Sequence, residues 1–448
     1  MMTPEDNELL TKVGPGTKMG ELLRRYWHPI AASDEMTPPP TKAVRILGET
    51  LVLFRDALGN FGLIGDRCPH RRASLLFGMP DGDGLRCAYH GWRFDRAGQC
   101  TDMPGEPPRA AEKRRVSIVS YPVEELGGLI FAYLGPRPVP RLPRWGLLAE
   151  SGLPRDIVTI DVPCNWLQIM ENSIDRLHFE WLHIRFHNFA LAQSGQEPRA
   201  DPSREIASQR LADTYEETEY GFAKRTSFRR PDGSERSAIL PFVFPTGGQT
   251  GLPRAPCLQL RTPIDDENTR QYFYTLYDLE IEMKARLRSQ LGDEILDGKR
   301  VQHLQIPPPP LGEPNYSLLL SNVYQDVSIV MSQGRIHDRS QEQPGSSDKG
   351  VMLYRSLLRR ELAKLSDGKD PINVFRGPSP NDRIELPRRP KDGVSSLYPR
   401  AAGRPSGNVQ LWSPFLSQIE RLGIDLNEVL FGAARHRPDE VWESVRRV

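Results

Sequence analysis

Cys68-Pro69-His70 and Cys87-Ala88-Tyr89-His90 stand sixteen residues apart, and each arm offers one thiolate and one imidazole at close range. Thiolates and imidazoles together suit iron–sulfur or zinc chemistry. Zinc accepts two Cys and two His, so spacing alone leaves both metals open. The ligands alternate Cys-His, Cys-His, whereas zinc fingers usually keep cysteines together and histidines together. Cys100, Cys164 and Cys257 have no partner spacing and are expected to be buried free thiols.

A second group of ligand-type residues lies in ENSIDRLHFEWLH (171–183). A helix puts Asp175 and His178 on one face, three residues apart. His178 and His183 are five apart, about 140° around an ideal helix. Both reach one metal only if the helix is broken or carries a π-bulge, a distortion frequent at functional sites. His183 and His187, four apart, suit an undistorted helix better, and geometry alone does not choose between the pairs. Glu180 falls on another side of that helix and is expected at the surface, with His187 a hydrogen-bonded structural residue.

Two kinds of element must position these groups. TKMGELLRRYWHPIA (17–31) has helical apolar spacing, with Thr17 as cap and Pro29 as stop. Residues 40–135 carry short β-branched and aromatic runs broken by Gly turns, a small all-β module whose turns hold the two arms. The Pro-rich tract 136–143 reads as a linker. Beyond it, 165–188 reads as helical, 204–280 as an antiparallel sheet, MKARLRSQL (283–291) and 350–366 as helices. Residues 367–408 read as an extended arm and 413–431 as a final helix. The fold class is α+β: a small all-β domain plus a larger domain with an antiparallel sheet flanked by helices.

Bulk properties exclude several function classes. The 448 residues argue for two domains. Lys+Arg (59) and Asp+Glu (58) nearly cancel, which leaves no field for nucleic acid or an anionic membrane. The longest apolar runs, such as 239–244, are far too short to span a bilayer. The acidic start MMTPEDNELL lacks signal-peptide order, and five cysteines make no disulfide framework, so a reducing cytoplasm is expected.

The arms CPHRRASL (68–75) and CAYHGWRF (87–94) closely resemble the cluster loops of Rieske proteins, in which histidines replace two cysteines on one iron of a two-iron, two-sulfur cluster. Asn172-x-x-Asp175-x-x-His178-x4-His183 after such a module resembles the catalytic segment of Rieske non-heme iron oxygenases. The likeness is to the phthalate-dioxygenase-like group of oxygenase (alpha) subunits. It runs from VGPGTKMGELLRRYW (13–27) to HDRSQE (337–342), most of the chain. The resemblance implies a [2Fe-2S] cluster on Cys68, His70, Cys87 and His90. It also implies a mononuclear Fe(II) on His178, His183 and Asp326, with dioxygen as co-substrate. Asp175 and Asn172 take catalytic roles, Asp175 bridging the cluster histidine of one subunit to the iron histidine of the next in a head-to-tail homotrimer (or two stacked trimers). The implied domains are 1–39, a helical segment packing on the catalytic domain; 40–143, the Rieske domain and linker; and 144–448, the catalytic domain. Where several relatives carry a glutamate after the iron aspartate, this chain has Ile329, Val330 and Met331.

The resemblance implies electrons from NADH through a separate flavin/iron–sulfur reductase; this chain shows no dinucleotide fingerprint of its own, since Gly14-Pro15-Gly16 lacks the strand and spacing. The expected function is ring cis-dihydroxylation of an aromatic carboxylate, with O-demethylation of a methoxylated aromatic acid close behind. A carboxylate substrate wants an Arg fork, and Arg204, Arg210, Arg225, Arg254 and Arg261 are the candidates. Phe242, Phe244 and Ile239 are candidates to face the ring. The rival from another class is a pure electron-transfer Rieske protein.

Overall fold

The computed structural model describes residues 2–36, 38–107, 115–197, 210–229, 233–252, 254–292, 299–304, 314–377, 383–386, 413–421, 424 and 429. Two short helices open the chain: α1 (Pro4–Thr11), capped by Thr3, and α2 (Lys18–Leu23), capped by Thr17. Their apolar faces share one core with Trp166, Leu167 and Met170 and with Leu357 and Leu358 much later in the chain. The helix expected over 17–31 ends at Leu23, and β1 (Trp27–Ala32) follows as a strand. Pro29 is tolerated there because the pairing slips by a bulge between Pro29 and Ala31.

The cluster module is built from eleven short strands. A first sheet has the order β2 (Thr41–Ile46), β3 (Glu49–Arg55), β4 (Phe61–Gly65), β9 (Ser120–Tyr121). A second is a meander of three-residue strands: β5 (Met79–Asp81), β6 (Gly84–Arg86), β7 (Arg93–Asp95) and β8 (Cys100–Asp102). A third joins β1 to β11 (Leu129–Tyr133) and β10 (Val123–Leu126). Val52, Phe54, Ile64, Leu85, Trp92 and Phe94 form its core with Cys68 and Cys87.

The larger unit is an eight-stranded sheet made of β12 (Arg155–Val162), β13 (Arg210–Thr218), β14 (Gly221–Arg229), β15 (Glu235–Val243), β16 (Gly247–Leu252), β17 (Ala255–Pro263), β18 (Thr269–Leu276) and β19 (Lys299–Leu304). Its order is β13-β14-β15-β16-β17-β18-β12-β19. Every pairing is antiparallel except β12 with β19. The helices are α3 (Trp166–Ile174), α4 (Leu177–Glu180), a π-helical segment (Trp181–Phe186), α5 (His187–Gln193), α6 (Ile281–Leu291), α7 (Asn322–Ser332) and α8 (Lys349–Ser366). Sheet and helices together make the expected α+β architecture.

The final helix α9 (Pro414–Arg421) is shorter than the expected 413–431, and most of the rest lies outside the described residues. So does most of the expected arm 367–408. The buried Asp156 carboxylate fastens α9, accepting from Tyr277 Oη and Ser413 Oγ at 2.7 Å and from Phe415 N.

Candidate active site

The two ligand arms fold into matched turns. In the first, Arg72 N donates to Cys68 O and Cys68 N to Ala73 O; in the second, Gly91 N donates to Cys87 O and Cys87 N to Trp92 O. The fourth residue after each cysteine is left-handed, Arg72 at φ 61° and Gly91 at φ 73°. Glycine takes that conformation freely; an arginine does so at a steric cost, and only where the surroundings impose it. The turns bury the Cys68 and Cys87 thiols and leave His70 exposed and His90 half-buried. The two imidazoles lie 4.6 Å apart, and His70 stacks on Trp92. Burial pushes the Cys68 thiol up to about 11, with Cys87 beside it adding to the cost of ionisation. Paired thiols inside and paired imidazoles outside fit a two-iron cluster whose cysteine iron is the inner one.

The second site starts where α3 stops. Asp175 is non-helical (φ −57°, ψ 144°), so the chain breaks there. Its carboxylate then accepts from His178 N (2.7 Å) and Leu177 N (3.2 Å), starting α4. The buried Lys224 ammonium holds the break, donating to the carbonyls of Ile174 and Asp175 at 3.1 Å and Ser173 at 3.5 Å. A cation suits this helix C-terminus. The π-helical turn that follows nearly closes the five-residue gap between His178 and His183. Their rings end up 5.2 Å apart at 85°.

From α7, Asp326 meets both. Its Oδ1 is 3.2 Å from His183 Nε2 and 3.9 Å from His178 Nε2, and one ligand atom from each residue lies within 4.8 Å of the other two. Asn172 Nδ2 donates to the same Oδ1 at 3.1 Å. Burial opposes charge on both Asp326 and His183, but each favours the other's ionised form, so the carboxyl is lowered and the imidazole raised. Burial works against Asp175 too, yet the neighbouring His178 and the backbone donors hold its carboxyl at about 2. Two imidazoles and one carboxylate converging on one point is the donor set of a facial triad.

The triad opens into a cavity of about 220 Å³. Ile169, Leu240, Phe273, Val323, Val327 and Val330 give it apolar walls, and Thr226, Thr250, Gln259, Gln271 and Ser173 give it polar points. None of the four described arginine candidates lines it. Arg210 is tied to Glu180 and Asp213, Arg225 to Glu216 and Arg254 to Glu280, while Arg204 lies outside the described residues. Arg261 is buried behind the wall, donating to Ser173 Oγ. Phe242 and Phe244 sit in the core, and Ile239 points away because its neighbours Ala238 and Leu240 face the cavity.

The cations that do line it are Arg176, whose only sequence signal is its place within the motif, and Lys224, which had none. Arg176 is 6% exposed; it pairs with Glu180 (3.1 Å), and its Nη1 has no hydrogen-bond partner among the described residues. Glu180 is therefore buried and not at the surface: the break at Asp175 and the π turn rotate it from the position a regular helix gives. Cys164 and Cys257 are buried as expected, whereas Cys100, on the outer strand β8, is half-buried.

Residues 26–122 match the Rieske [2Fe-2S] domain family. The chain is 37% identical over 406 residues to the 5,5'-dehydrodivanillate O-demethylase oxygenase subunit of Sphingobium sp. (strain NBRC 103272 / SYK-6), covering 88% of each chain. It belongs to the Rieske-type oxygenases. The phthalate 4,5-dioxygenase oxygenase subunit of Pseudomonas putida is 30% identical over 404 residues, with 84% of this chain and 89% of that one covered. Among solved structures, Pseudomonas putida CBB5 NdmA with caffeine shares the fold at TM-score 0.56, with 18% identity over 78% of this chain and 94% of that one. This Rieske-type oxygenase is thus a terminal oxygenase component, and its family implies a Rieske cluster and a mononuclear iron. No helix among its described residues is long and apolar enough to cross a membrane.

Proposed function

We propose that this oxygenase removes a methyl group from a methoxylated aromatic acid of one ring. Electrons would come from NADH through a flavin and iron–sulfur reductase. The observation that carries the reading is the cavity itself: the His178–His183–Asp326 triad opens onto apolar walls, and the buried Arg176 Nη1 has no hydrogen-bond partner among the described residues. At about 220 Å³ the space falls below the usual range for drug-sized ligands, about 300–1,000 Å³, and suits a single ring. Lys224 is committed to three backbone carbonyls, so Arg176 is the donor available to a substrate carboxylate. The likeness to an O-demethylase oxygenase subunit favours demethylation over ring dihydroxylation.

Cys68, His70, Cys87 and His90 would hold the cluster, and His178, His183 and Asp326 the mononuclear iron. Iron in such a triad keeps positions open and supplies reductive activation of dioxygen, while the cluster supplies electrons. The chain's own residues prepare that chemistry. Asn172 fixes the Asp326 carboxylate, so the ligand does not swing into the cavity. Asp175, 3.5 Å from His178 Nδ1 and half-buried, remains able to take a second imidazole, that of His90 from a neighbouring subunit of a head-to-tail trimer. The valine and leucine walls exclude water from the space where the ring lies.

Ring cis-dihydroxylation is the second reading, favoured by the likeness to a phthalate dioxygenase oxygenase subunit. With a surrogate reductase, methoxybenzoates should drive oxygen consumption and release formaldehyde in step with it. Oxygen uptake only with phthalates or benzoates, yielding a diol and no formaldehyde, would overturn demethylation.

A further inference from the structure

Gln325, the residue before Asp326 on α7, is wholly buried beside the triad. Its Nε2 donates to Leu319 O at 2.6 Å, and its Oε1 lies 2.8 Å from His183 Nδ1. Because the NH2 end is committed to a carbonyl, which only accepts, the oxygen end must face the histidine. A carbonyl oxygen cannot donate either, so His183 carries its proton on Nδ1. Nε2 is then the nitrogen left to bind a metal, and it points at Asp326, 3.2 Å away. Neighbouring residues on a helix point about 100° apart. One turn of α7 therefore supplies both the carboxylate in front of His183 and the amide behind it.

The other histidine is backed differently. Behind His178 Nδ1 stands Asp175, a charged and half-buried carboxylate at 3.5 Å, beyond good hydrogen-bond range. His183 is thus locked by a neutral amide that is itself anchored, while His178 is left adjustable toward a charged partner. Groups behind a metal-bound imidazole set its tautomer and orientation, and their loss typically weakens metal binding 10–100-fold.

We infer that Gln325 is the positioning residue that locks His183 in its Nε2-binding tautomer, and that retention of the mononuclear metal depends on it. The inference rests on the reading that His178, His183 and Asp326 hold that metal. In the full-length chain, Gln325→Leu removes the hydrogen bonds to His183, Leu319 and His187, whereas Gln325→Glu keeps an oxygen for His183 and loses the donors to Leu319 and His187. Fe(II) bound beyond the cluster is titrated against a competing chelator, and the melting temperature of the metal-free protein is followed in parallel. Both variants should melt lower. Gln325→Leu should bind metal about 10–100-fold more weakly, and Gln325→Glu close to the parent. Should Gln325→Leu not fold, Gln325→Asn, which withdraws the same oxygen by one methylene, is expected to lose metal in its place. Undiminished binding by Gln325→Leu, or equal loss in both variants in step with melting, would overturn the inference. If the parent and His183→Ala bind metal alike, the triad reading itself fails, which is a separate result.

Discussion

Glu171 and Asn172 are neighbours on α3, yet they enter two polar regions of opposite character. On the Glu171 side, Arg339 donates to both carboxylate oxygens at 2.7–3.1 Å and Arg355 adds a bond at 2.6 Å. Arg355 also forks onto Glu342, which takes His337 at 2.9 Å, and Arg339 reaches Asn7 in α1. On the Asn172 side, the triad atoms converge at 3.2–3.9 Å, and neither His178 Nδ1 nor Arg176 Nη1 has a hydrogen-bond partner among the described residues. Buried polar groups without partners cost free energy, so a fold keeps them where something else binds. The satisfied network holds α1, α3 and α8 together, and the incomplete one is the proposed place of metal, substrate and a neighbouring subunit.

Removing one carboxylate from each region should break the comparison in different ways. Asp175→Ala should leave the iron content of the protein unchanged and lower reductase-coupled turnover by about three orders of magnitude, equivalent to about 4 kcal/mol of barrier. Near-normal coupled oxygen consumption would remove Asp175 from the electron path. Glu171→Leu strands two buried guanidinium groups and should cost about 3–5 kcal/mol of stability, visible as a lower denaturant midpoint. An unchanged midpoint would show that the network is dispensable.

Acid should sharpen the contrast by a smaller amount. Burial alone would raise the Glu342 carboxyl, but the hydrogen bonds of His337 and Arg355 hold it at about 2, against 4.5 for the free group. A folded value below the unfolded one stabilises the protein fully above pH 4.5, and the gain is lost as pH falls toward 2. The loss is on the order of 3 kcal/mol over that window. Glu342→Gln should flatten this part of the stability–pH curve, and a curve of unchanged slope would count against the pairing.

How much of this was legible in the sequence depended on distance along the chain. The cluster arms carry their candidate ligands within four residues, so local spacing alone singles them out. The 171–183 segment also holds two of the three residues that the structure brings together, but spacing alone left the pair of histidines open. The chain break and π turn that choose His178 with His183 are held from outside, by Lys224 on β14. The described arginine candidates miss the cavity for a simpler reason. In a strand, one residue of register exchanges the two faces, so Lys224 lines the cavity and Arg225 does not, just as Ala238 and Leu240 do and Ile239 does not. Arg176 and Gln325 acquire meaning only when α3, α7 and the sheet meet, which no local pattern records. Glu180 looked like a surface residue because the helix was drawn as regular.

The central claim is that the Asn172 side of α3 is a metal site and the Glu171 side is not. Iron per chain measures this directly, after reconstitution of the parent, Asp326→Ala and Glu342→Gln. About three irons are expected in the parent and in Glu342→Gln, two in the cluster and one in the triad, and about two in Asp326→Ala. Two irons in all three proteins would contradict the account and leave an electron carrier in its place.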